Sequence, residues 1–207
     1  MIKISTSILS TENRQTAIEK LNQTTTDYIH IDAMDGNFVN NYQLPINEII
    51  ELNKSTKKPF DIHLMVNNPQ EYIEKLANLN IEYITFHIEV NHDILDIINM
   101  IKNLGYKVGL SINPNTNINN IIPYLNYLDM VLIMSVEPGQ GGQSFIPKSL
   151  NKAEIIRQHD PNITIEMDGG IKDHNINEIK KYVDIAVVGS YITNQENYQE
   201  AINNLKN

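Results

Sequence analysis

One feature constrains this chain most: short apolar runs of strand length alternate with longer amphipathic runs from one end to the other. The strand-like runs are Ile2–Ser7, Tyr28–Ala33, Phe60–Met65, Tyr83–His87, Lys107–Ile112, Met130–Met134, Thr164–Met167 and Ile185–Val188. Helix-like runs follow them at Glu12–Asn22, Ile46–Asn53, Pro69–Leu79, Asp93–Leu104, Ile118–Tyr124, Lys148–Gln158, Ile176–Tyr182 and Gln195–Leu205. Several of these open on a turn residue or proline, as at Asn68-Pro69, where a helix start is expected. Strand, helix, strand without a break predicts a parallel sheet covered by helices. Eight such units in 207 residues lie at the lower size limit of a closed (β/α)8 barrel, the TIM barrel.

An open, doubly wound sheet shares that alternation, and the polar residues separate the two. Ser7, Asp32, His63, His87, Asn113, Glu137, Asp168 and Ser190 stand at or just past the C-terminal ends of nearly every strand-like run. An open sheet gathers its site at one switch point, whereas a barrel draws on strands all round its rim. The prediction is a single-domain α/β barrel over residues 1–207, with no linker or low-complexity tract.

Net charge excludes some partners. At −9 the chain offers no basic groove for nucleic acid and no attraction to an anionic membrane surface. It has no cysteine, which removes disulfides, thiolate metal sites and thiol nucleophiles. No apolar stretch is long enough to span a bilayer, and Met1-Ile2-Lys3-Ile4 enters a strand without a signal-peptide core. A cytoplasmic protein is expected.

The chemistry is concentrated first in Tyr28-Ile29-His30-Ile31-Asp32-Ala33-Met34-Asp35-Gly36. Side chains two apart on a strand share a face, which puts His30, Asp32 and Met34 together and Ile29, Ile31 and Ala33 opposite. In a barrel the first face points inward. The next strand offers His63 on its own inward face. Two imidazoles and a carboxylate from neighbouring strands form a mixed nitrogen and oxygen site suited to zinc or ferrous iron. One buried histidine reads better as a hydrogen-bonded core residue, but the convergent set does not. Asp168 ends the seventh strand, across the barrel. By itself Asp168-Gly169-Gly170 is a good turn. Paired with Asp32 it places carboxylates on opposite faces of a ligand, which suits taking a proton from one face of a carbon and returning it to the other.

Glycine-rich loops form a third group: Gly139-Gln140-Gly141-Gly142 after strand six, Gly169-Gly170 after strand seven and Gly189-Ser190 after strand eight. Barrels bind phosphate at these last loops through backbone N–H groups. Of the other polar residues, His87 and Glu89 face the same mouth as the metal set and read as structural, with a supporting place behind the metal ligands as the alternative. His92, His159 and His174 read as surface residues, and Glu137 as shaping its loop.

Six segments, in order along the chain, resemble the ribulose-phosphate 3-epimerase family. They are Ser7–Leu9 (SIL), His30–Val39 (HIDAMDGNFV), Asp61–Val66 (DIHLMV), Met134–Pro147 (MSVEPGQGGQSFIP), Met167–Ile171 (MDGGI) and Val187–Ile192 (VVGSYI). The resemblance implies a (β/α)8 barrel that interconverts D-ribulose 5-phosphate and D-xylulose 5-phosphate through an enediolate. It implies one divalent ion per subunit on His30, Asp32, His63 and Asp168, zinc or iron first and manganese or cobalt next. Asp32 and Asp168 are then the acid/base pair. Ser7, Met34, His63, Met65 and Asp168 surround the substrate, whose phosphate meets Gly139, Gln140, Gly141, Gly142, Gly169, Gly170, Gly189 and Ser190. The partners expected are a small phosphorylated ketose and further copies of the chain, with neither nucleic acid nor membrane.

The chain departs from the family pattern at Gln140, where phenylalanine is usual, at Asn40, where proline is usual, and at Thr6, where proline or alanine is usual. Gln140 leaves a hexulose phosphate such as allulose 6-phosphate as an alternative substrate. A non-catalytic phosphosugar-binding barrel is the alternative of another class. Metal-free decarboxylase barrels fit less well, because their Asp-x-Lys-x-x-Asp is absent from Asp61–Val66.

Overall fold

The computed structural model describes residues 1–207. Eight parallel strands, β1 (Lys3–Ser7), β2 (Tyr28–Asp35), β3 (Phe60–Met65), β4 (Ile81–His87), β5 (Lys107–Ile112), β6 (Met130–Met134), β7 (Thr164–Asp168) and β8 (Ile185–Val188), pair each with the next. β1 pairs with both β8 and β2, which closes the ring into a (β/α)8 barrel. A two-residue strand, Tyr42–Gln43, adds antiparallel to the end of β2. The helices are α1 (Arg14–Leu21), α2 (Ile46–Asn53), α3 (Pro69–Ile73), α4 (Ile94–Asn103), α5 (Ser149–His159), α6 (Asp173–Ile179), α7 (Ser190–Thr193) and α8 (Tyr198–Lys206).

Local sequence explains the elements. In α4, Ile94, Ile97, Ile98 and Ile101 fall at helical spacing and are buried, and the Asp93 carboxylate caps the start by accepting from the Leu95 and Asp96 N–H groups. The run Ile118–Tyr124 forms no α-helix but two 3-10 segments, Ile118–Asn120 and Ile122–Tyr127. Pro123 has no N–H to continue an α-helical ladder, and the chain restarts there. The third helix ends at Ile73 rather than Leu79. The last begins at Tyr198, where the Asn197 side chain accepts from Glu200 N–H, and the short α7 precedes it.

The main apolar core lies outside the ring, where Ile29, Ile31, Ala33, Ile62 and Leu64 pack against the helices. Inside, side chains stack in layers taken alternately from even and odd strands. Tyr28, Tyr83, Met130 and Ile185 seal the N-terminal end. The next layer is polar, with Ser5, Asp61 and Glu166 all fully buried. Above it His30 marks the floor of a cleft at the C-terminal mouth.

Candidate active site

β2 aims His30 and Asp32 into the barrel and β3 aims His63. β7, three strands from β2 round the ring, brings Asp168 to the same place. One ligand atom from each of these four residues lies within 4.8 Å of the others. His30 Nε2 stands 3.4 Å and His63 Nδ1 3.5 Å from Asp32 Oδ1. Both nitrogens are buried and meet no hydrogen-bond partner. Buried polar atoms are rarely left unpaired, and two that converge on a carboxylate suit a cation. The donor set of two imidazoles and two carboxylates fits a divalent transition metal.

The surroundings fix these side chains. Ser7 Oγ donates to Asp32 Oδ2 at 2.8 Å, leaving Oδ1 toward the histidines. Asp61 Oδ2 accepts from Ser5 Oγ at 2.6 Å and pairs with His30 Nδ1 at 2.7 Å, which turns Nε2 of that ring to the cleft. The electrostatics differ between the two aspartates. Burial opposes the charge of Asp32, but the charge of His30 and the nearness of both imidazoles prevail and hold it ionised, well below the usual carboxylate range. Burial and the charge of Asp32 push Asp168 up to about 7. Burial lowers His63 to about 4 against the pull of Asp32, whereas Asp32 and Asp61 overcome burial and raise His30 well above a free imidazole.

Ser7, Asp32, Met34, Met65, Gly139, Gln140, Gly141, Gly142, Asp168, Gly169, Gly170, Gly189 and Ser190 all line one cleft. His30 and His63 lie beneath its surface; His63, expected beside the substrate, does not line the cleft. Met134 joins Met34 and Met65 there, and its place at the end of the sixth strand-like run was the available signal. Leu9, from the SIL segment, lines the cleft too, as do Ser10 and Lys172, which carried no sequence signal. Of the departures from the family pattern, Thr6 is absorbed by a 2.7 Å hydrogen bond between its Oγ1 and that of Thr26.

The loop after β6 borders the cleft and is tied to the loop after β2. The Asn41 side-chain amide donates to the Gly139 carbonyl at 2.5 Å, joining the segment after β2 to the segment after β6. Gly139, at φ +104°, has no room for a Cβ, which would fall 2.9 Å from Val39 Cβ. Gly170, at φ +65°, presses on the Phe145 backbone of the same segment after β6, where any side chain would collide.

Sequence reasoning gave no role to Asp61 and Glu166, although each stands two residues before a singled-out residue and therefore shares its inward face. Glu166 offers a carboxyl oxygen within 4.8 Å of ligand atoms of both Asp61 and His30, in full burial. Burial and the Asp61 charge raise its pKa well above the usual value. Glu166 therefore stays protonated when folded while it ionises above its ordinary pKa when unfolded. The native state binds more protons, and stability from this group is lost as pH rises. Glu166→Gln removes that titration and keeps a donor toward Asp61. The melting-temperature advantage of the variant over the natural protein is expected to grow from pH 5 to pH 8. Scanning calorimetry at several pH values checks it, and a difference independent of pH contradicts a buried neutral Glu166.

Comparison with known proteins agrees with this geometry. The profile described as "Ribulose-phosphate 3 epimerase family" matches residues 3–193. A ribulose-phosphate 3-epimerase of Aquifex aeolicus is 38% identical over 185 residues, covering 87% of this chain and 83% of that protein. One from Helicobacter pylori is 35% identical over 211 residues, covering 100% and 97%. Among solved structures, tryptophan synthase from Mycobacterium tuberculosis shares the fold at a TM-score of 0.73 with 11% identity, covering 99% of this chain and 91% of that one. With a family profile spanning nearly all of it and full-length relatives above 30% identity, the chain belongs to the ribulose-phosphate 3-epimerase family.

Proposed function

We propose that the chain interconverts D-ribulose 5-phosphate and D-xylulose 5-phosphate by inverting the carbon beside the ketone. The observation that carries this reading is the unlike pair of carboxyls across one cleft. Asp32 is held ionised and Asp168 is pushed up to about 7, beside two unpartnered imidazole nitrogens. Groups of unlike protonation are what acid and base roles require. Asp32 takes the proton from one face of the carbon, and protonated Asp168 supplies one to the other. In the reverse direction the roles exchange. Ser7 keeps Asp32 oriented throughout by its hydrogen bond to Oδ2.

His30, Asp32, His63 and Asp168 would hold a divalent ion, zinc or iron before manganese or cobalt. When bound, such an ion supplies Lewis-acid stabilisation of the negative charge that builds on the substrate oxygens, worth several kcal/mol. The methionines Met34, Met65 and Met134 give the cleft an apolar wall, which keeps water from the deprotonated carbon. Gly141, Gly142, Gly170, Gly189 and Ser190 offer backbone near the phosphate end. A self-associated state and a cytoplasmic setting belong to the same reading; sedimentation of the purified protein checks the first.

Gln140 favours one alternative. It puts an amide in the loop after β6, on the wall of the cleft, where a hydroxyl of a longer sugar would find a partner. Turnover of D-ribulose 5-phosphate and D-allulose 6-phosphate, measured side by side, decides between them. The pentulose is expected to have the larger kcat/KM, and the reverse order overturns the assignment. No turnover of either sugar would support the non-catalytic reading.

A further inference from the structure

We propose that His87 and Glu89 are positioning residues that lock His63 in the tautomer able to bind a metal. The proposal rests on the metal reading of the site given above. His87 ends β4 and Glu89 follows two residues later; neither touches the cleft. Glu89 Oε1 accepts from the Asn113 backbone N–H at 2.9 Å, which anchors the carboxylate to the end of β5. Its other oxygen, Oε2, stands 3.0 Å from His87 Nδ1. His87 Nε2 stands 2.8 Å from His63 Nε2. The two rings have centroids 4.9 Å apart and planes 26° apart. With nitrogens that close and centroids that far, the rings meet edge to edge, and the hydrogen bond runs nearly in both ring planes. Phe38 covers His87 at 4.7 Å between centroids and keeps water off the pair.

With both rings neutral, proton accounting leaves one arrangement. A carboxylate only accepts, so His87 Nδ1 must carry the hydrogen that faces Glu89. In a neutral ring the opposite nitrogen, Nε2, is then an acceptor. Two Nε2 atoms 2.8 Å apart need one proton between them, and His63 Nε2 must supply it. His63 Nδ1 is left with a free lone pair, and that is the buried atom beside Asp32 that meets no partner. Without the chain, His63 is free to hold its proton on Nδ1, where it would occupy the place of a metal. His30 is served the same way from below by Asp61. The two imidazoles of the site are thus oriented by separate partners, one from the barrel interior and one from the β4 rim.

Outer partners of this kind typically change metal affinity by about 10- to 100-fold when removed. Two readouts test the assignment. In metal-free, 15N-labelled protein, long-range 15N–1H correlation spectra report the tautomer of His63. The natural protein is expected to show hydrogen on Nε2, and Glu89→Ala a mixture with the Nδ1–H form. Zinc affinity, measured by competition with a chromogenic chelator, is expected to fall about 10- to 100-fold in Glu89→Ala and His87→Phe. His87→Gln, whose amide oxygen can accept from His63 Nε2–H, is expected to recover much of it. Glu89 is the more exposed of the two, and its variant decides the matter where His87→Phe does not fold. Equal zinc affinity and an unchanged tautomer in Glu89→Ala overturn the proposal while leaving the metal site intact. Failure of the natural protein itself to bind zinc overturns the metal site, and the proposal with it.

Discussion

Asp32→Asn and Asp168→Asn are each expected to lower kcat by about 10²- to 10⁴-fold, the range over which a positioned acid or base contributes. Asparagine preserves the shape of either side chain and removes its capacity to move a proton. The double variant is expected to be little worse than the weaker single one, because groups that act in one step do not contribute additively. Assays at saturating zinc separate loss of the acid/base role from loss of metal. Deuterium exchange sharpens the test. With Asp168 replaced, Asp32 still reaches one face of the reacting carbon, and slow exchange with solvent is expected from one epimer only. Exchange from both epimers at similar rates, or a kcat near the natural value, would refute the two-carboxyl assignment.

Thorough chelation is expected to abolish epimerisation, and a stoichiometric divalent ion to restore it. Two buried nitrogens without partners beside a carboxylate held ionised make a site suited to a cation. Binding also reports on folding, since an ion held by the native state alone stabilises it by about 2.7 kcal/mol at 100 times Kd. The pH dependence has a definite sign. In the metal-free protein His30 is raised well above a free imidazole and Asp168 is pushed up to about 7, so both hold protons that the ion must displace. Affinity is therefore expected to weaken as pH falls from 8 to 6. Titration calorimetry in buffers of different ionisation enthalpy counts the released protons. Full activity after metal removal, verified by elemental analysis, would sink this reading.

The departure at Gln140 has a structural setting that bears on the substrate. The Gln143 side-chain amide donates to the carbonyls of Glu137 at 2.7 Å and Gln140 at 2.8 Å, folding the loop after β6 on itself. Both acceptors are backbone carbonyls, so this fold of the loop leaves the Gln140 side chain free to face the cleft.

Several properties of this protein were determined by local sequence alone. Eight strand-length runs alternating with helical ones specify a helix-covered parallel sheet, because each unit must bury an apolar face and parallel strands require a crossover between them, and polar residues at the ends of nearly all the strands point to the barrel. The period of two on β2 assigns His30, Asp32 and Met34 to the interior and Ile29, Ile31 and Ala33 to the helices, since neighbouring side chains on a strand point opposite ways. His63 follows by the same rule. Helix limits were less legible where one residue outweighed the apolar pattern, as Pro123 does in the 3-10 segments.

Other features were decided only by the tertiary structure. Closing β1 onto β2 brings Asp168 to Asp32 from three strands away, a distance no spacing along the chain encodes. The same closure buries Asp61 and Glu166 in one layer, where they can no longer both be charged. The facing of His63 and His87, nitrogen to nitrogen, depends on the register of β3 on β4 and on the direction of each ring. Sequence determines which residues a strand can turn inward; which of those atoms meet is determined by barrel closure and register, because hydrogen bonds and charge pairing act only at contact.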